Sequence, residues 1–320
     1  MEDHALGRSG LRIPPLGLGS WLTFGDPHAE PPEKVVDAAL EAGIWFFDTA
    51  DVYDLGAAES ALGAALRHVE RRHVVVATKA FFPMSEHPND RGLSRKHLFE
   101  SLEGSLERLG MDYVDLYQCH RFDPRTPLEE TVRAMGDLVR RGLTLYWGTS
   151  TWTAEQLREA CRLCDAMDVP RPISEQARFN LLCREVEAEV VPTARELGIG
   201  FLWWSPLAQG VLTGKYLGGV TGATRAASGR SAGTFLERAL ADPEVARRVE
   251  RFVAVARRHG FPPAALALSW TLDRVPGSTA LVGASRVAQL QEDLEALSVP
   301  WDDELRREVE EAVAGPPLDL

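Results

Sequence analysis

The fold is decided by the stretch YVDLYQCHRFDPRTPLEETVRAMGDLVRRGLTLYWGTS, residues 113–150. It begins and ends with a short apolar run, at 113–120 and 145–150, as is typical of parallel strands that are covered on both faces. The segment between these runs is punctuated as a helix, with Thr126 predicted as the N-cap and Glu129 closing a capping box. The stretch therefore predicts a strand, a helix and a second, parallel strand.

The same unit recurs along the rest of the chain. The predicted strands lie at 15–21, 44–50, 73–80, 113–120, 145–150, 173–176, 200–205 and 278–284. Eight strands alternate with eight helices, without a linker or a low-complexity segment, which predicts one closed (β/α)8 TIM barrel over residues 1–320. A doubly wound sheet is the alternative. Residues 1–14 have hairpin character and are expected to plug the barrel floor, and 301–320 is expected to form a C-terminal tail.

Composition and charge exclude several classes of function. The chain has 320 residues, 47 acids against 35 bases and a net charge of -12, and such a charge repels the phosphate backbone of nucleic acid. The amino terminus lacks the pattern of a signal peptide, and no window is apolar enough for a membrane span, so a cytoplasmic protein is expected. The four cysteines fit a reducing compartment. Cys161 and Cys164 lie within one predicted helix and are interpreted as half-buried thiols rather than as a metal or redox pair.

Polar side chains close three successive predicted strands. Asp48 ends the second strand, Lys79 ends the third and His120 ends the fourth, while Tyr53 follows Asp48 by five residues. The carboxyl ends of barrel strands meet at one mouth, so these four side chains are expected to converge there. A lysine paired with an aspartate can stabilise the phenolate of a tyrosine, which makes the tyrosine a usable proton donor. A neighbouring histidine can then hold a carbonyl oxygen in place, so that the carbonyl carbon accepts hydride.

Other interpretations of these residues have less support from the sequence. Singly, each has an ordinary structural role, such as helix capping for Asp48 or solvation for Lys79. The chain has no HxH or HExxH motif, so a metal-dependent hydrolase has little support. Schiff-base chemistry at Lys79 leaves the pairing of Asp48 with Tyr53 unexplained. The GVLTGK stretch at 210–215 is too short for a P-loop, and GLG at 17–19 fails the dinucleotide fingerprint because position 22 is Leu.

A local positive segment follows the seventh strand. Residues 206–236 contain no Asp or Glu, while Lys215, Arg225 and Arg230 lie among seven glycines. This segment is expected to act as a strap that holds phosphates, with a mobile solvated loop as the alternative. After the eighth strand, Gly283, Ser285 and the start of the following helix form a predicted anion site.

These motifs together resemble the aldo-keto reductase superfamily, in particular the branch that includes the voltage-gated potassium channel beta subunits and their bacterial relatives. The resemblance covers nearly the whole chain. The motifs that carry it are LGRSGLRIPPLGLGSWLTFG at 6–25, FFDTADVY at 46–53, ATKA at 77–80, GLSRKHL at 92–98, SLERLGMDYVDL at 105–116, TPLEETVRAM at 126–135, LYWGTSTW at 145–152, SPLAQGVLTGKY at 205–216 and LVGAS at 281–285.

The resemblance implies an NADPH-dependent reductase of small carbonyl compounds, with Asp48, Tyr53, Lys79 and His120 as catalytic residues. It implies NADP(H) contacts, with NADH as the alternative cofactor. The implied cofactor-binding residues are Ser20, Trp21, Asp48, Ser150, Gln176, Trp204, Ser205, Pro206, Leu207, Lys215, Arg225, Gly283, Ser285, Gln289, Glu292 and Asp293. Among these, Ser150 and Gln176 would hold the nicotinamide carboxamide and Trp204 would stack on its ring.

The resemblance leaves a second functional class open. The alternative is a cofactor-sensing accessory subunit, and a homo-oligomer, either a tetramer or an octamer, is implied in both cases. The branch usually carries Asn at the position of His120, which favours the enzyme here, and Asn at the position of Asp293. The expected substrate pocket is walled by aromatic residues, namely Trp21, Phe81, Phe82 and Trp152.

Overall fold

The computed structural model describes residues 2–24, 29–220, 234–316 and 318. The chain divides into two compact units. The first consists of Met1–Ala177, Val186–Leu202 and Gly277–Val287, and the second consists of Arg178–Glu185, Trp203–Pro276 and Ala288–Leu320. Two predicted strap residues, Arg225 and Arg230, lie outside the described residues.

Ten strands are found in the described ranges. They are β1 (His4–Ala5), β2 (Arg12–Ile13), β3 (Leu16–Gly19), β4 (Phe46–Asp48), β5 (Val75–Ala80), β6 (Val114–Cys119), β7 (Thr144–Ser150), β8 (Ser174–Arg178), β9 (Gly200–Trp204) and β10 (Ser278–Val282). The last eight form a closed barrel in the order β10-β3-β4-β5-β6-β7-β8-β9. Neighbouring strands from β10 through β3 to β8 pair in parallel, with Ala280 opposite Leu16 and Lys79 opposite Gln118. The predicted (β/α)8 barrel is confirmed.

Eleven α-helices lie in the described ranges, three more than the alternation of eight predicts. They are α1 (Pro32–Glu41), α2 (Ala57–Leu66), α3 (Arg95–Leu109), α4 (Leu128–Arg140), α5 (Ala154–Met167), α6 (Val190–Leu197), α7 (Thr234–Ala241), α8 (Pro243–Arg258), α9 (Pro263–Arg274), α10 (Val287–Leu294) and α11 (Asp303–Val313). Two of the three extra helices follow β9, where α7, α8 and α9 precede β10, and the third is α11, which follows α10. The helix α11 lies within the stretch expected to be a tail.

The start of α4 differs from the prediction. Its N-cap is Pro127, with no capping side chain, whereas Thr126 was expected. The helix begins one residue later than expected because the Pro127 backbone is extended, with ψ at 128°, and the Thr126 hydroxyl donates to Asp123 Oδ2 at 2.8 Å. Asp123 also accepts from the Leu93 amide at 2.9 Å, so it anchors the loop before α3. The predicted capping box with Glu129 is therefore wrong.

The amino-terminal hairpin is present and packs into the barrel floor. Strands β1 and β2 pair antiparallel. Leu6 and Ile13 are fully buried in one apolar cluster with Phe46 and Leu116, which lie on barrel strands of the first unit. Burial of two large aliphatic side chains contributes about 3–6 kcal/mol to the free energy of folding. The hairpin is therefore part of the hydrophobic core.

The second unit has an aromatic core of its own. The Phe179 ring lies 4.8 Å from the Trp203 ring and 5.2 Å from the Trp270 ring, measured between centroids. The Trp270 indole N–H donates to Glu310 Oε1 at 3.2 Å, which fixes α11 against α9. In the predicted strap, residues Ala208–Thr213 form a short 3-10 helix and Thr234 begins α7.

Two further observations concern membrane contact and thiol chemistry. Across the described ranges, none of the helices combines the length and the apolar character that a bilayer span requires.

Cys161 and Cys164 lie on the buried side of α5. Burial raises the pKa of the Cys161 thiol to about 11 and that of Cys164 to about 12, so both are protonated and unreactive at neutral pH.

Candidate active site

The ends of three neighbouring strands place the predicted polar residues. Asp48 is the last residue of β4, Lys79 is the penultimate residue of β5, and His120 directly follows β6. Asp48 pairs across the sheet with Ala77, so the parallel register brings Lys79 just beyond it. Tyr53 opens a short 3-10 helix, and its amide donates to the Ala50 carbonyl at 3.1 Å.

Lys79 is the centre of a buried polar cluster. Its Nζ lies 2.6 Å from Asp48 Oδ2 and donates to the Thr49 carbonyl at 2.7 Å and to the Tyr53 hydroxyl oxygen at 3.3 Å. The other Asp48 oxygen accepts from Gln176 Nε2 at 2.8 Å. The structure therefore brings together Asp48, Tyr53 and Lys79 as predicted, and it adds Gln176 as a further ligand of Asp48.

Burial and charge act in opposite directions on this cluster. Burial is the largest single influence on Lys79 and lowers its pKa, but the charges and hydrogen bonds of Asp48 and Tyr53 together outweigh burial, so the pKa of Lys79 is raised and the amine stays charged. Burial raises the pKa of Tyr53, and the charge of Lys79 opposes that rise only in part. Tyr53 is therefore fully protonated at neutral pH, and Lys79 is placed to stabilise its phenolate once the proton leaves.

His120 is a buried, neutral imidazole. Burial lowers its pKa well below the usual value, and the charges of Lys79 and Arg121 lower it further. Its ring meets the Tyr53 ring edge-on with centroids 5.7 Å apart. Its buried Nδ1 has no hydrogen-bond partner within the described part of the chain. A neutral histidine keeps one N–H for donation, which suits it to hold a carbonyl oxygen next to the Tyr53 hydroxyl.

The aromatic side chains expected to wall a pocket fall into two groups. The Phe82 ring lies 4.9 Å from the His120 ring, and the Trp21 ring lies 6.4 Å from the Tyr53 ring. Phe81 meets Phe82 edge-on at 5.2 Å. Trp152 is buried against Phe122 at 5.1 Å, so its contact is with the loop after β6 rather than with the cluster around Lys79.

Arg121 and Gln118 lie near this cluster and were not singled out from the sequence, and Gln118 Nε2 lies 3.5 Å from Asp48 Oδ1. Arg121 NH1 donates to the His120 carbonyl at 2.5 Å and to Ser150 Oγ at 3.4 Å. In the sequence, the position of Arg121 directly after His120 could have indicated that it lies near this cluster. Ser20, another predicted contact, donates its hydroxyl to Thr49 Oγ1 at 2.8 Å, next to the carbonyl that binds Lys79.

Glu175 fixes the loop that follows Ser150. Its two oxygens accept from the Thr149 hydroxyl at 2.6 Å and from the Trp152 amide at 3.1 Å. Residue Thr151, between them, has a left-handed φ of 59°. Burial raises the pKa of Glu175 to about 8, so the group is largely protonated at neutral pH.

This shift predicts a pH dependence of stability. Between pH 4.5 and about 8 the unfolded chain has released the Glu175 proton while the folded protein still holds it, so the free energy of unfolding falls as pH rises through that window. We expect Glu175→Gln to remove this part of the slope, on the order of a few kcal/mol. Urea unfolding at pH 5.5 and 8.5 measures it, with the exposed Glu155→Gln as control. An unchanged slope in Glu175→Gln would contradict the assignment.

The predicted phosphate strap of the second unit has unusual backbone and charge. Ser205, Ala208, Gln209 and Gly210 all have positive φ, at 52°, 48°, 55° and 90°. A Cβ on Gly210 would lie 2.6 Å from Lys215 Nζ, so the glycine makes room for the lysine. The side-chain oxygen of Gln209 is buried and has no hydrogen-bond partner in the described ranges. A lysine beside tightly turned backbone fits an anionic ligand such as a phosphate, whereas the Gln209 oxygen is an acceptor and needs a donor group such as a hydroxyl.

The predicted anion site after the eighth strand is partly filled by a side chain of the first unit. The amide of Val287, the first residue of α10, donates to Glu30 Oε2 at 2.8 Å, and the Glu30 amide donates to the Ser285 carbonyl at 2.8 Å. The sequence predicted an open helix end here, and 257 positions separate the two partners. In the second unit, burial raises the pKa of Asp293 to about 8, with the neighbouring Glu292 adding to the rise.

Comparison with known proteins agrees with this geometry. A model of the aldo/keto reductase family matches residues 15–314. The chain is 42% identical over 303 residues to a probable voltage-gated potassium channel subunit beta of Oryza sativa subsp. japonica, with 93% of this chain and 92% of the relative covered. A protein of the same description from Arabidopsis thaliana is 40% identical at the same coverage. A putative subunit beta from Schizosaccharomyces pombe is 36% identical, covering 98% of this chain and 94% of the relative. The chain therefore belongs to the aldo/keto reductase family.

Proposed function

We propose that the protein reduces aldehydes or ketones with NADPH, and that Tyr53 donates the proton. The observation that carries the proposal is the position of Lys79, whose buried Nζ contacts both Asp48 Oδ2 at 2.6 Å and the Tyr53 hydroxyl at 3.3 Å. If the Lys79–Asp48 ion pair had only a structural role, it would not require a tyrosine hydroxyl next to the lysine. A proton donor that must become a phenolate does need such a cation.

Tyr53 acts as the general acid in this proposal. Its raised pKa keeps the hydroxyl proton in place at neutral pH until a carbonyl oxygen gains negative charge. The proton then moves from Tyr53 to that oxygen, and the phenolate left behind is stabilised by Lys79. Asp48 keeps Lys79 charged throughout, because a buried lysine without a carboxylate would lose its proton more readily.

His120 orients the carbonyl compound. Because burial keeps the imidazole neutral, it donates one hydrogen bond to the carbonyl oxygen without adding a second buried positive charge near Lys79. The Phe82 and Trp21 rings, next to His120 and Tyr53, exclude water and favour an apolar body on the substrate.

The cofactor, when bound, supplies the hydride. In the first unit, Ser150 and Gln176 would hold the carboxamide, with Ser20 and Trp21 beside them. Gln176 is already oriented by Asp48 at 2.8 Å. In the second unit, the backbone of 205–207 and Lys215 would hold the pyrophosphate and ribose, Trp204 would stack on the ring, and Gln289, Glu292 and Asp293 would contact the adenine. Gly283 and Ser285 would receive the 2'-phosphate.

Cofactor affinity tests this assignment. We expect NADPH to bind at least tenfold more tightly than NADH, although Glu30 must leave the Val287 amide before a 2'-phosphate can use it. Lys215→Met should weaken the binding of NADPH and of NADH by about tenfold or more, since a charge-assisted contact with the pyrophosphate is lost. The control is the exposed Lys96→Met on α3. Titration of tryptophan fluorescence gives the dissociation constants, and tighter binding of NADH would reject the cofactor assignment.

Turnover tests the reaction itself. Purified protein with NADPH should consume the reduced cofactor, followed by its absorbance, when an activated aldehyde such as 4-nitrobenzaldehyde is added. The product should be the corresponding alcohol, with one hydride and one proton added per carbonyl. Cofactor binding without turnover over a broad panel of aldehydes and ketones would contradict the proposal.

A second candidate function is a cofactor-sensing accessory subunit. The observation that favours it is that the plant relatives are described as probable voltage-gated potassium channel beta subunits. Under this candidate, cofactor binds tightly and turnover is negligible on every carbonyl compound tested.

We also propose a cytoplasmic homo-oligomer, which light scattering after size-exclusion chromatography distinguishes from a 35.2 kDa monomer.

A further inference from the structure

Asp51 is a fully buried residue just before Tyr53, and the proposed mechanism does not use it. Both oxygens of its side chain accept hydrogen bonds. Oδ1 accepts from the Val52 amide at 2.6 Å, and Oδ2 accepts from the Ser101 hydroxyl on α3 at 2.7 Å. The Asp51 amide donates to the Lys79 carbonyl at 3.2 Å. Asp51 therefore joins the turn that carries Tyr53 both to the strand that carries Lys79 and to α3.

The segment that follows Tyr53 has a strained backbone. Asp54 and Leu55 both have a φ of 51°, in the left-handed region that costs free energy for any residue with a side chain. The Leu55 side chain is 69% exposed, so it adds little packing to offset that cost. A segment of this kind relaxes when the bonds that hold it are removed, which makes the bond between Asp51 and the Val52 amide important for the shape of the turn.

The position of the Tyr53 hydroxyl is sensitive to such a relaxation. Lys79 is fully buried and is fixed by Asp48 at 2.6 Å and by the Thr49 carbonyl at 2.7 Å. The distance from Lys79 Nζ to the Tyr53 hydroxyl, 3.3 Å, is already near the long end of the hydrogen-bond range. Since the amine is held from the other side, a small outward movement of the turn breaks this contact.

We propose that Asp51 is a positioning residue for the proton donor: it holds the Val52 amide, is itself anchored by Ser101, and so keeps the Tyr53 hydroxyl within reach of Lys79. This inference rests on the proposed reductase function. Asp51 acts through the backbone of the turn and not on the carbonyl compound itself.

This role requires hydrogen bonds rather than charge. Burial raises the pKa of Asp51 to about 7, and the neighbouring Glu59 adds to the rise, so both protonation states occur at neutral pH. In the protonated acid, one oxygen still accepts from the Val52 amide, and the Ser101 hydroxyl turns to accept the acid proton. An asparagine offers the same pair, one acceptor and one donor. We therefore expect Asp51→Asn to keep the turn in place and Asp51→Ala to release it.

The test measures kcat for 4-nitrobenzaldehyde at saturating NADPH, together with the dissociation constant of NADPH. Asp51→Ala should lower kcat by about tenfold or more, because a shift of the order of 1 Å at a reacting group is enough for such a loss. Its dissociation constant for NADPH should stay within about twofold of the wild-type value, since the effect is on the chemical step. Asp51→Asn should keep kcat within about threefold of the wild type.

Asp115 provides a matched control. It is also a buried residue whose carboxylate accepts one backbone amide and one side-chain donor. Asp115 Oδ2 accepts from the Val76 amide at 2.8 Å and from Arg71 at 2.6 Å, near the start of β6 and at the opposite end of that strand from His120. Asp115→Ala should therefore lower the melting temperature and leave kcat at the wild-type value.

The outcomes separate the positioning role from the reductase function. A wild-type kcat in Asp51→Ala, or an equal fall in Asp115→Ala, overturns the role of Asp51 while the reductase function stands. An equal fall in Asp51→Asn overturns a role that depends on hydrogen bonds alone. Failure of the wild-type protein to reduce the aldehyde overturns both proposals.

A second variant decides the matter if melting curves show that Asp51→Ala does not fold. Ser101→Ala removes only the bond that anchors Asp51, and it should lower kcat by about threefold or more. The control is Ser105→Ala, a buried serine one turn further along α3, which should leave kcat unchanged. A wild-type kcat in Ser101→Ala then overturns the proposal.

Discussion

Tyr53→Phe is expected to lower kcat for aldehyde reduction by about 1000-fold or more, since general acid catalysis contributes roughly 10²–10⁴ and the variant loses the donor hydroxyl. The variant keeps the ring that packs edge-on against His120 and removes only the hydroxyl next to Lys79. The measurement is single-turnover reduction of 4-nitrobenzaldehyde with saturating NADPH, which isolates the chemical step.

The control for this variant is Tyr113→Phe. The Tyr113 ring lies under Arg71 at 4.1 Å, at the opposite end of β6 from His120, so loss of its hydroxyl should leave turnover at the wild-type rate. The dissociation constant of NADPH should be nearly the same in Tyr53→Phe as in the wild type. Substantial turnover by Tyr53→Phe would remove Tyr53 from the role of proton donor, and a large loss of cofactor affinity would point to a structural role instead.

Lys79→Met should cost both activity and stability. The substitution leaves the Asp48 carboxylate buried without its cation, which typically costs about 3–5 kcal/mol of unfolding free energy. Turnover should fall by at least the same factor as in Tyr53→Phe, since the phenolate loses the charge that stabilises it. Urea unfolding at pH 5.5 and 8 measures the first effect.

A double variant separates the two effects of Lys79. Asp48→Asn combined with Lys79→Met contains no lone charge, so most of the lost stability should return while turnover stays absent. Arg162→Ala, which breaks an exposed pair with Glu159, serves as the control and should leave the urea midpoint unchanged. If the double variant regains activity, the pair is structural. If Lys79→Met is as stable as the wild type at both pH values, the buried pair does not have the energetic role assigned to it.

The parts of this protein that followed from its sequence are those set by periodic patterns and by strand ends. The apolar runs fixed the eight barrel strands, and parallel pairing of neighbouring strands then placed Asp48 next to Lys79. Once the strands were aligned, Tyr53 could reach the same cluster because only five residues separate it from Asp48.

Other features depend on side-chain orientation and on contacts between distant residues. Thr126 donates to Asp123, and α4 begins one residue later than its capping pattern predicts because the Pro127 backbone is extended. Glu30 reaches the amide of Val287, and nothing near either residue signals the contact. The direction of the pKa shift of Tyr53 depends on burial outweighing the charge of Lys79, and burial at that position is known only from the packed structure.

The order of strands in the barrel has a consequence for how the protein is made. Strand β10 pairs with β3, so Ala280 lies beside Leu16, and β10 also neighbours β9. While the chain is still emerging from the ribosome, β3 and β9 remain open sheet edges until Ser278–Val282 is released. Open edges of this kind pair readily with other chains. A nascent chain that stalls before residue 278 therefore exposes two sheet edges that are prone to aggregation. Addition of the five-residue strand β10 covers both edges at once.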